Sequence, residues 1–307
     1  MSGASDLVLE ANGAKSFRVN TNSNERLRVD LTGRFLVGTT AYKSNLNASS
    51  DVQIGQFVGK ADNENACLSV FSYPGTTNPT ARGAKLQLHR ARSTDGTTNT
   101  AVAQNDLIGS IEFKGNDGTN FTKAASIDVN VDGAPGTDDM PGRLVFSTSA
   151  DGSGAPTERM RISKEGYITK PNQPTFQAQG SGDAISAQSA LPFDSIIFNN
   201  GSHYNNSTFK FTCPVTGYYY VTCHVIPQNF TANNGNCELY IRMDAAGNRY
   251  FLDRKAKTTN YSTNNFSVTG SRIIYATANQ TISVELNSIE GSPTLEASSH
   301  FGIMLMA

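Results

Sequence analysis

The sequence predicts an all-β protein whose C-terminal part is a β-sandwich, and three observations carry the prediction. Asn, Ser, Thr and Gly supply most of the polar content, and these residues favour turns and strand edges over helix interiors. Apolar and polar residues alternate at period two in segment after segment. No stretch shows the apolar period of a long amphipathic helix. The 27 Gly and 11 Pro follow no three-residue period, which excludes a collagen, and no apolar run is long enough for a membrane-spanning helix.

The 307 residues suffice for two domains, each able to bury a core. With 25 basic against 26 acidic side chains and no basic stripe, the chain lacks the phosphate-neutralising surface that nucleic-acid binding needs. The N-terminus has no basic region followed by an apolar stretch, so export by a secretory signal is not expected. Cys67, Cys213, Cys223 and Cys237 are therefore expected as buried thiols.

Residues 25–35, ERLRVDLTGRF, align without a gap on 158–168, ERMRISKEGYI. Each copy reads as a strand whose apolar residues (Leu27 and Val29, Met160 and Ile162) face one side and whose arginines face the other, with Gly33 or Gly166 supplying a positive-φ turn. Such hairpins are marginal alone and become stable when several chains wrap round one axis. The alternative is two unrelated amphipathic strands in one monomeric sandwich. Between the copies, 85–92, 107–115, 124–133 and 142–152 alternate as strands, and Asp117-Gly118, Asp132-Gly133 and Asp151-Gly152 mark turns.

The run from Asn105 to Ile168 resembles the shaft or distal module of bacteriophage tail fibres and tail spikes. The matching residues are Asn105, Asp106, Gly109, Phe113, Asp117, Gly118, Met140 to Leu144, Phe146 and Glu158 to Ile162; the likeness extends over about residues 7–169. It implies an intertwined homotrimer without catalysis.

KPNQP (170–174) breaks the chain in two; with the tail-fibre resemblance three segments are expected, 1–50 for virion attachment and the first hairpin repeat, 51–169 for the shaft and 170–307 for the head. In the head, 209–225 reads as a strand pair bent at Pro214 and Gly217, and 237–243, 248–253, 265–277, 281–286 and 300–307 supply further strands. Phe176, Ala178, Ile197-Phe198-Asn199, Tyr204-Asn205, Phe209, Phe211-Thr212, Pro214, Gly217, Tyr219 and the closing Phe301-Gly302-Ile303 and Leu305 resemble the C1q-like and tumour-necrosis-factor-like jelly roll. Cys213 and the turn Thr277-Ala278-Asn279-Gln280 depart from that pattern. This resemblance also implies a trimer, with ligand contacts at the apex or flanks.

Site chemistry is sparse. His89, His203, His224 and His300 are scattered, and no zinc-ligand spacing is present. Asp132, Asp138 and Asp139 lie in a glycine-rich loop that can present oxygens to calcium, although its ligand pattern suits a solvated turn better. No catalytic residue, metal or cofactor is assigned. Glycoside cleavage needs two facing carboxylates, and the catalytic spikes of this kind carry a long β-helix for which this chain has no room. Glu25, Arg26, Arg28, Glu158, Arg159 and Arg161 read as contacts between neighbouring chains of the shaft rather than ligand contacts, because they repeat. Counting strands from the base places the turns 245–248, 278–280 and 297–299 at the apex. That nominates Asn248, Arg249, Tyr250, Tyr261, Asn279, Gln280, Ser298 and Ser299 as receptor-binding residues, the amides and hydroxyls for sugar hydroxyls and the tyrosines for stacking. The alternative for each is an ordinary polar turn. The expected partners are two further copies of the chain, virion tail or capsid proteins at the N-terminus, and a host surface glycan or protein receptor. Assembly is expected in the host cytoplasm, with no membrane insertion.

Overall fold

The computed structural model describes residues 17–21, 24–29, 35–37, 55–57, 83–93, 98–231, 236–244, 248–256, 267–287 and 290–306. Every regular element among them is a β-strand. The chain divides into two compact units, Met1–Thr169 and Lys170–Ala307.

In the first unit, β1 (Phe17–Thr21), β2 (Asn24–Val29) and β3 (Phe35–Val37) form an antiparallel meander, to which β4 (Gly55–Phe57) adds in parallel. A second sheet runs in sequence order through β5 (Leu107–Asn116), β6 (Phe121–Val131), β7 (Gly142–Thr148), β8 (Thr157–Ile162) and β9 (Ile168–Thr169). Both Glu-Arg repeats form hairpins, and Gly166 turns the second at φ 82°. Asp117 closes the β5–β6 hairpin as an Asx turn: its Oδ1 accepts from the N–H groups of Thr119 (2.8 Å) and Asn120 (2.7 Å), and Gly118 takes φ 97°.

The expected strand at 85–92 is not there; residues 83–93 run without ladder pairing. Side chains hold the segment, together with one backbone bond from the Arg92 N–H to the Thr100 carbonyl at 3.0 Å. Arg92 Nε reaches Asp106 at 2.6 Å, and Arg90 donates to the Leu107 carbonyl at 2.8 Å, so Leu86 and Leu88 stay exposed despite their alternation.

In the second unit β10 (Thr175–Gln179), β11 (Ser195–Asn200), β12 (Tyr204–Asn205), β13 (Lys210–Thr212) and β14 (Gly217–Val225) are followed by β15 (Pro227–Thr231), β16 (Asn236–Met243) and β17 (Asn248–Ala256). The chain ends with β18 (Val268–Ala276), β19 (Thr281–Asn287), β20 (Glu290–Leu295) and β21 (His300–Leu305). One five-stranded sheet has the order β11-β10-β21-β14-β18, the other β12-β13-β19-β16-β17, and β15 pairs with β20 as a ribbon. The segment expected as one bent strand pair is split, because β13 and β14 fall in different sheets and Pro214 to Thr216 carries the chain across.

Alternation explains the core. Tyr219, Val221, Cys223 and Val225 of β14 face Cys237, Leu239, Ile241 and Met243 of β16 and Ile282, Val284 and Leu286 of β19, all within one buried cluster. Phe176 anchors it, stacked on Tyr204 at 3.9 Å between ring centroids and edge-on to Phe301 at 5.2 Å. Tyr204 and Tyr219 keep their hydroxyls satisfied by donating to the carbonyls of Phe193 (2.8 Å) and Val215 (2.6 Å). Cys213, Cys223 and Cys237 are free buried thiols, and burial pushes them up to about 11, 12 and 12, so they are packing residues rather than nucleophiles. Cys67 lies outside the described residues.

Candidate functional site

Strand register fixes which loops share an end of the sandwich. The chain enters at Thr175, opposite Met304, and Tyr219 lies opposite Leu305, Gly217 opposite Ala276 and Met243 opposite Ile282. The turns 277–280 and 244–248 therefore sit at the entry end, and the expectation that they cap the apex is corrected. Strand counting failed because the chain switches sheets at 213–217 and again at 277–280. Backbone bonds tie these two crossings together: Cys213 N–H donates to the Gln280 carbonyl and Asn279 N–H to the Cys213 carbonyl, each at 2.8 Å. Of the three turns only 297–299 lies at the far end, where His300 is opposite Gln179.

The nominated residues do not converge. Asn248 is exposed at the entry end. Arg249 is committed to the buried Glu285 carboxylate and lies 4.5 Å from the Tyr240 ring centre. Tyr250 packs against the core with the Arg272 guanidinium 4.9 Å above its ring. Asn279 adopts φ 69°, and Gln280 Oε1 accepts from the Thr277 N–H at 2.9 Å, so both build the turn. Ser298 is exposed but bonded to Glu296, while Ser299 is fully buried and its hydroxyl accepts from the Ile226 N–H at 2.9 Å. Tyr261 lies outside the described residues. Burial corrects Ser299 and the inward side of β17 corrects Tyr250, since neither ring nor hydroxyl faces solvent as a free contact.

In the first unit Arg161 grips Glu158 with both guanidinium arms (2.8 and 2.5 Å), and Arg159 Nε donates to Thr148 Oγ1 at 2.9 Å; these charges already have partners within one chain. Glu25, Arg26 and Arg28 occupy β2, and their side chains lie outside the described residues. Asp132 is engaged too: the Lys164 N–H and the Arg143 guanidinium hold its carboxyl below the usual carboxylate range. No cluster of three metal-ligating side chains occurs among the described residues.

What sequence reading missed is the outward face of the sheet β11-β10-β21-β14-β18. On β14 the residues between the core positions are Tyr218, Tyr220, Thr222 and His224. Register sets Tyr218 beside Tyr275, and Tyr220 beside both Ile273 and Met304. Phe198 lies opposite Gln177, and that row continues to Gly302. Phe198, Tyr218, Tyr220, Ile273, Tyr275, Met304 and Met306 are all exposed, forming one apolar surface with a hollow over Gly302. A signal existed: a strand that faced solvent on one side would carry polar residues where this one carries Tyr218 and Tyr220. The other sheet presents a polar face instead, where Arg242 and Arg249 both reach Glu285. Glu238 accepts from the Tyr240 hydroxyl at 2.8 Å, which holds its carboxyl below the usual range.

Residues 175–301 match the family model of the C1q domain. Complement C1q tumor necrosis factor-related protein 5 of Rattus norvegicus is 39% identical over 56 residues, which are 18% of this chain and 23% of that protein. Complement C1q and tumor necrosis factor-related protein 9 of Mus musculus is 51% identical over 35 residues, 11% of this chain and 10% of that protein. The chain thus spans less than a quarter of either relative. Among solved structures, the globular domain of zebrafish complement 1qA protein is 14% identical, with 44% of this chain and 98% of that one covered and a TM-score of 0.34. Eiger TNF from S. frugiperda is 10% identical, with 44% and 94% covered and a TM-score of 0.36. The family match and the two facing five-stranded sheets agree: the C-terminal part of this all-β chain is a C1q jelly-roll domain.

Proposed function

We propose that the chain is a homotrimeric, non-enzymatic attachment fibre of a phage virion, whose C1q-type head assembles through its apolar sheet face and binds a host surface glycan. The observation that carries the assembly is that face. Seven large apolar side chains, three of them tyrosines, stand exposed on a sheet whose other side is fully packed, and a monomer gains nothing from them. Around a three-fold axis they bury one another, and three heads then give avidity to individually weak contacts. The virion setting rests on the shaft-like motif at 105–168, and the relatives found speak only to the C1q head. Glycan contacts fall to surfaces the trimer leaves open, namely the far-end turn at Ser298 and the polar outer sheet with Tyr240, Arg242 and Arg249.

A second reading is a virion decoration whose head only caps and trimerises the shaft. It is favoured by the structural employment of Arg249, Gln280 and Ser299. The test measures mass in solution and retention by a panel of bacterial cells and their extracted surface glycans on the same sample. A trimer retained by one host supports attachment, and a trimer retained by none moves the assignment to the cap. A monomer ends both, and release of reducing ends would show an enzyme.

A further inference from the structure

Two of the four histidines that are scattered along the sequence meet in the fold. Strand register sets His224 of β14 directly opposite His300 of β21, and residues opposite one another on antiparallel strands share a face of the sheet. That face is the outward one, because their chain neighbours Cys223, Val225 and Phe301 all belong to the core. The two imidazoles lie 28° apart in plane with ring centres 5.5 Å from each other, and both are partly exposed.

The surroundings prepare one ring for a ligand. His224 Nδ1 lies 2.5 Å from the Thr269 hydroxyl oxygen, and the Thr269 N–H donates in turn to Asp253 at 3.1 Å. With that hydroxyl accepting from Nδ1–H, the ring is held in the tautomer whose Nε2 carries the free lone pair. The row Thr269–His224–His300–Gln179 and the next, Ser271–Thr222–Gly302–Gln177, contain no carboxylate, lysine or arginine. A hard cation such as calcium finds no anionic oxygen in these rows, whereas imidazole suits zinc, copper and nickel. The histidine row is also about 13 Å along β14 from the Tyr220–Met304 row, at about 3.3 Å per residue. It thus opens at the far-end rim of the face, outside the apolar part assigned to self-association.

We propose that His224 and His300 form a binding site for a borderline divalent cation of the zinc class, each supplying one imidazole nitrogen, with water in the remaining positions. Zinc–nitrogen bonds of about 2.0–2.1 Å at a tetrahedral angle place the centres of two ligating imidazoles about 5 Å apart. The strands already hold the rings at that separation, so a turn of the His300 ring, with His224 kept by Thr269, brings both nitrogens onto one ion. Bound there, the ion ties β21 to β14 at the end of the sheet and stabilises the folded chain. The site lies within one chain, so it stands apart from the attachment reading and from the trimer.

The test uses the full chain, without an affinity tag and freed of metal by a chelator, titrated with zinc by calorimetry. Zinc is expected to bind and to raise the melting midpoint, and calcium to do neither. His224→Gln and His300→Gln should each weaken binding about a hundredfold, since one imidazole alone forfeits the chelate. Thr269→Val should weaken it about tenfold while circular dichroism shows an unchanged fold. His89→Gln, on the segment 83–93, should change nothing. Absence of zinc binding overturns the proposal, and so does affinity that survives both β14 and β21 variants, which would place the ion elsewhere. Where a variant does not fold, protection of the unaltered chain decides: zinc should shield His224 and His300 from diethyl pyrocarbonate, and equal modification with and without zinc overturns the site.

Discussion

Asp117 shows how one carboxylate shapes a hairpin. Three donors converge on it, the N–H groups of Asn120 and Thr119 and the Thr122 hydroxyl, and they lower its carboxyl to about 2. A folded-state value below the unfolded one, about 4, contributes stability that is present above pH 4 and lost as the pH falls towards 2. The Arg92 guanidinium and the Ala103 N–H lower Asp106 in the same direction. Asp117→Asn should thus lower the melting midpoint at pH 6 and show a smaller drop between pH 5 and 2 than the unaltered chain; equal drops would dismiss the role. Glu285 poses the opposite case, a fully buried carboxylate between two part-exposed guanidiniums. Removing both Arg242 and Arg249 as alanines strands the buried charge and should cost the head about 3 kcal/mol or more in urea unfolding. Glu285→Gln should cost less, since the arginines it releases can reach water.

At the scale of elements, the sandwich closes where β17 meets β18. Gly270 permits this, because a Cβ there would stand 2.7 Å from Leu252 Cβ. Gly270→Val should cost about 1–3 kcal/mol by forcing the two strands apart, read by chemical denaturation, and a neutral substitution would show that the edge is looser than described. Strand existence was legible from alternation in β5, β6, β7, β14 and β16, and in β14 burial follows the sequence pattern residue by residue. The segment 85–92 alternates equally well and joins no described strand, because a ladder needs a neighbour and alternation does not supply one.

For the whole molecule, the head face makes a prediction independent of any ligand. Tyr220→Glu combined with Met304→Glu changes two outward side chains, so the fold should persist in circular dichroism while the head loses its self-association in sedimentation. Loss of the fold itself would place these residues in the core instead.

The all-β class, the C1q-like head and the Glu-Arg hairpins were written in the sequence, because period-two alternation, turn residues and an eleven-residue repeat are local properties of a chain. Which end of the sandwich holds Asn248 and Gln280 was not. It depends on where the chain changes sheets, at Cys213 and at Asn279, and those crossings are set by hydrogen bonds between residues over sixty positions apart. The same holds for the faces. Alternation tells which residues share a side of a strand, but only the packed tertiary structure decides which side is covered, and it left Tyr218 and Tyr220 outside while enclosing Tyr219 between the sheets.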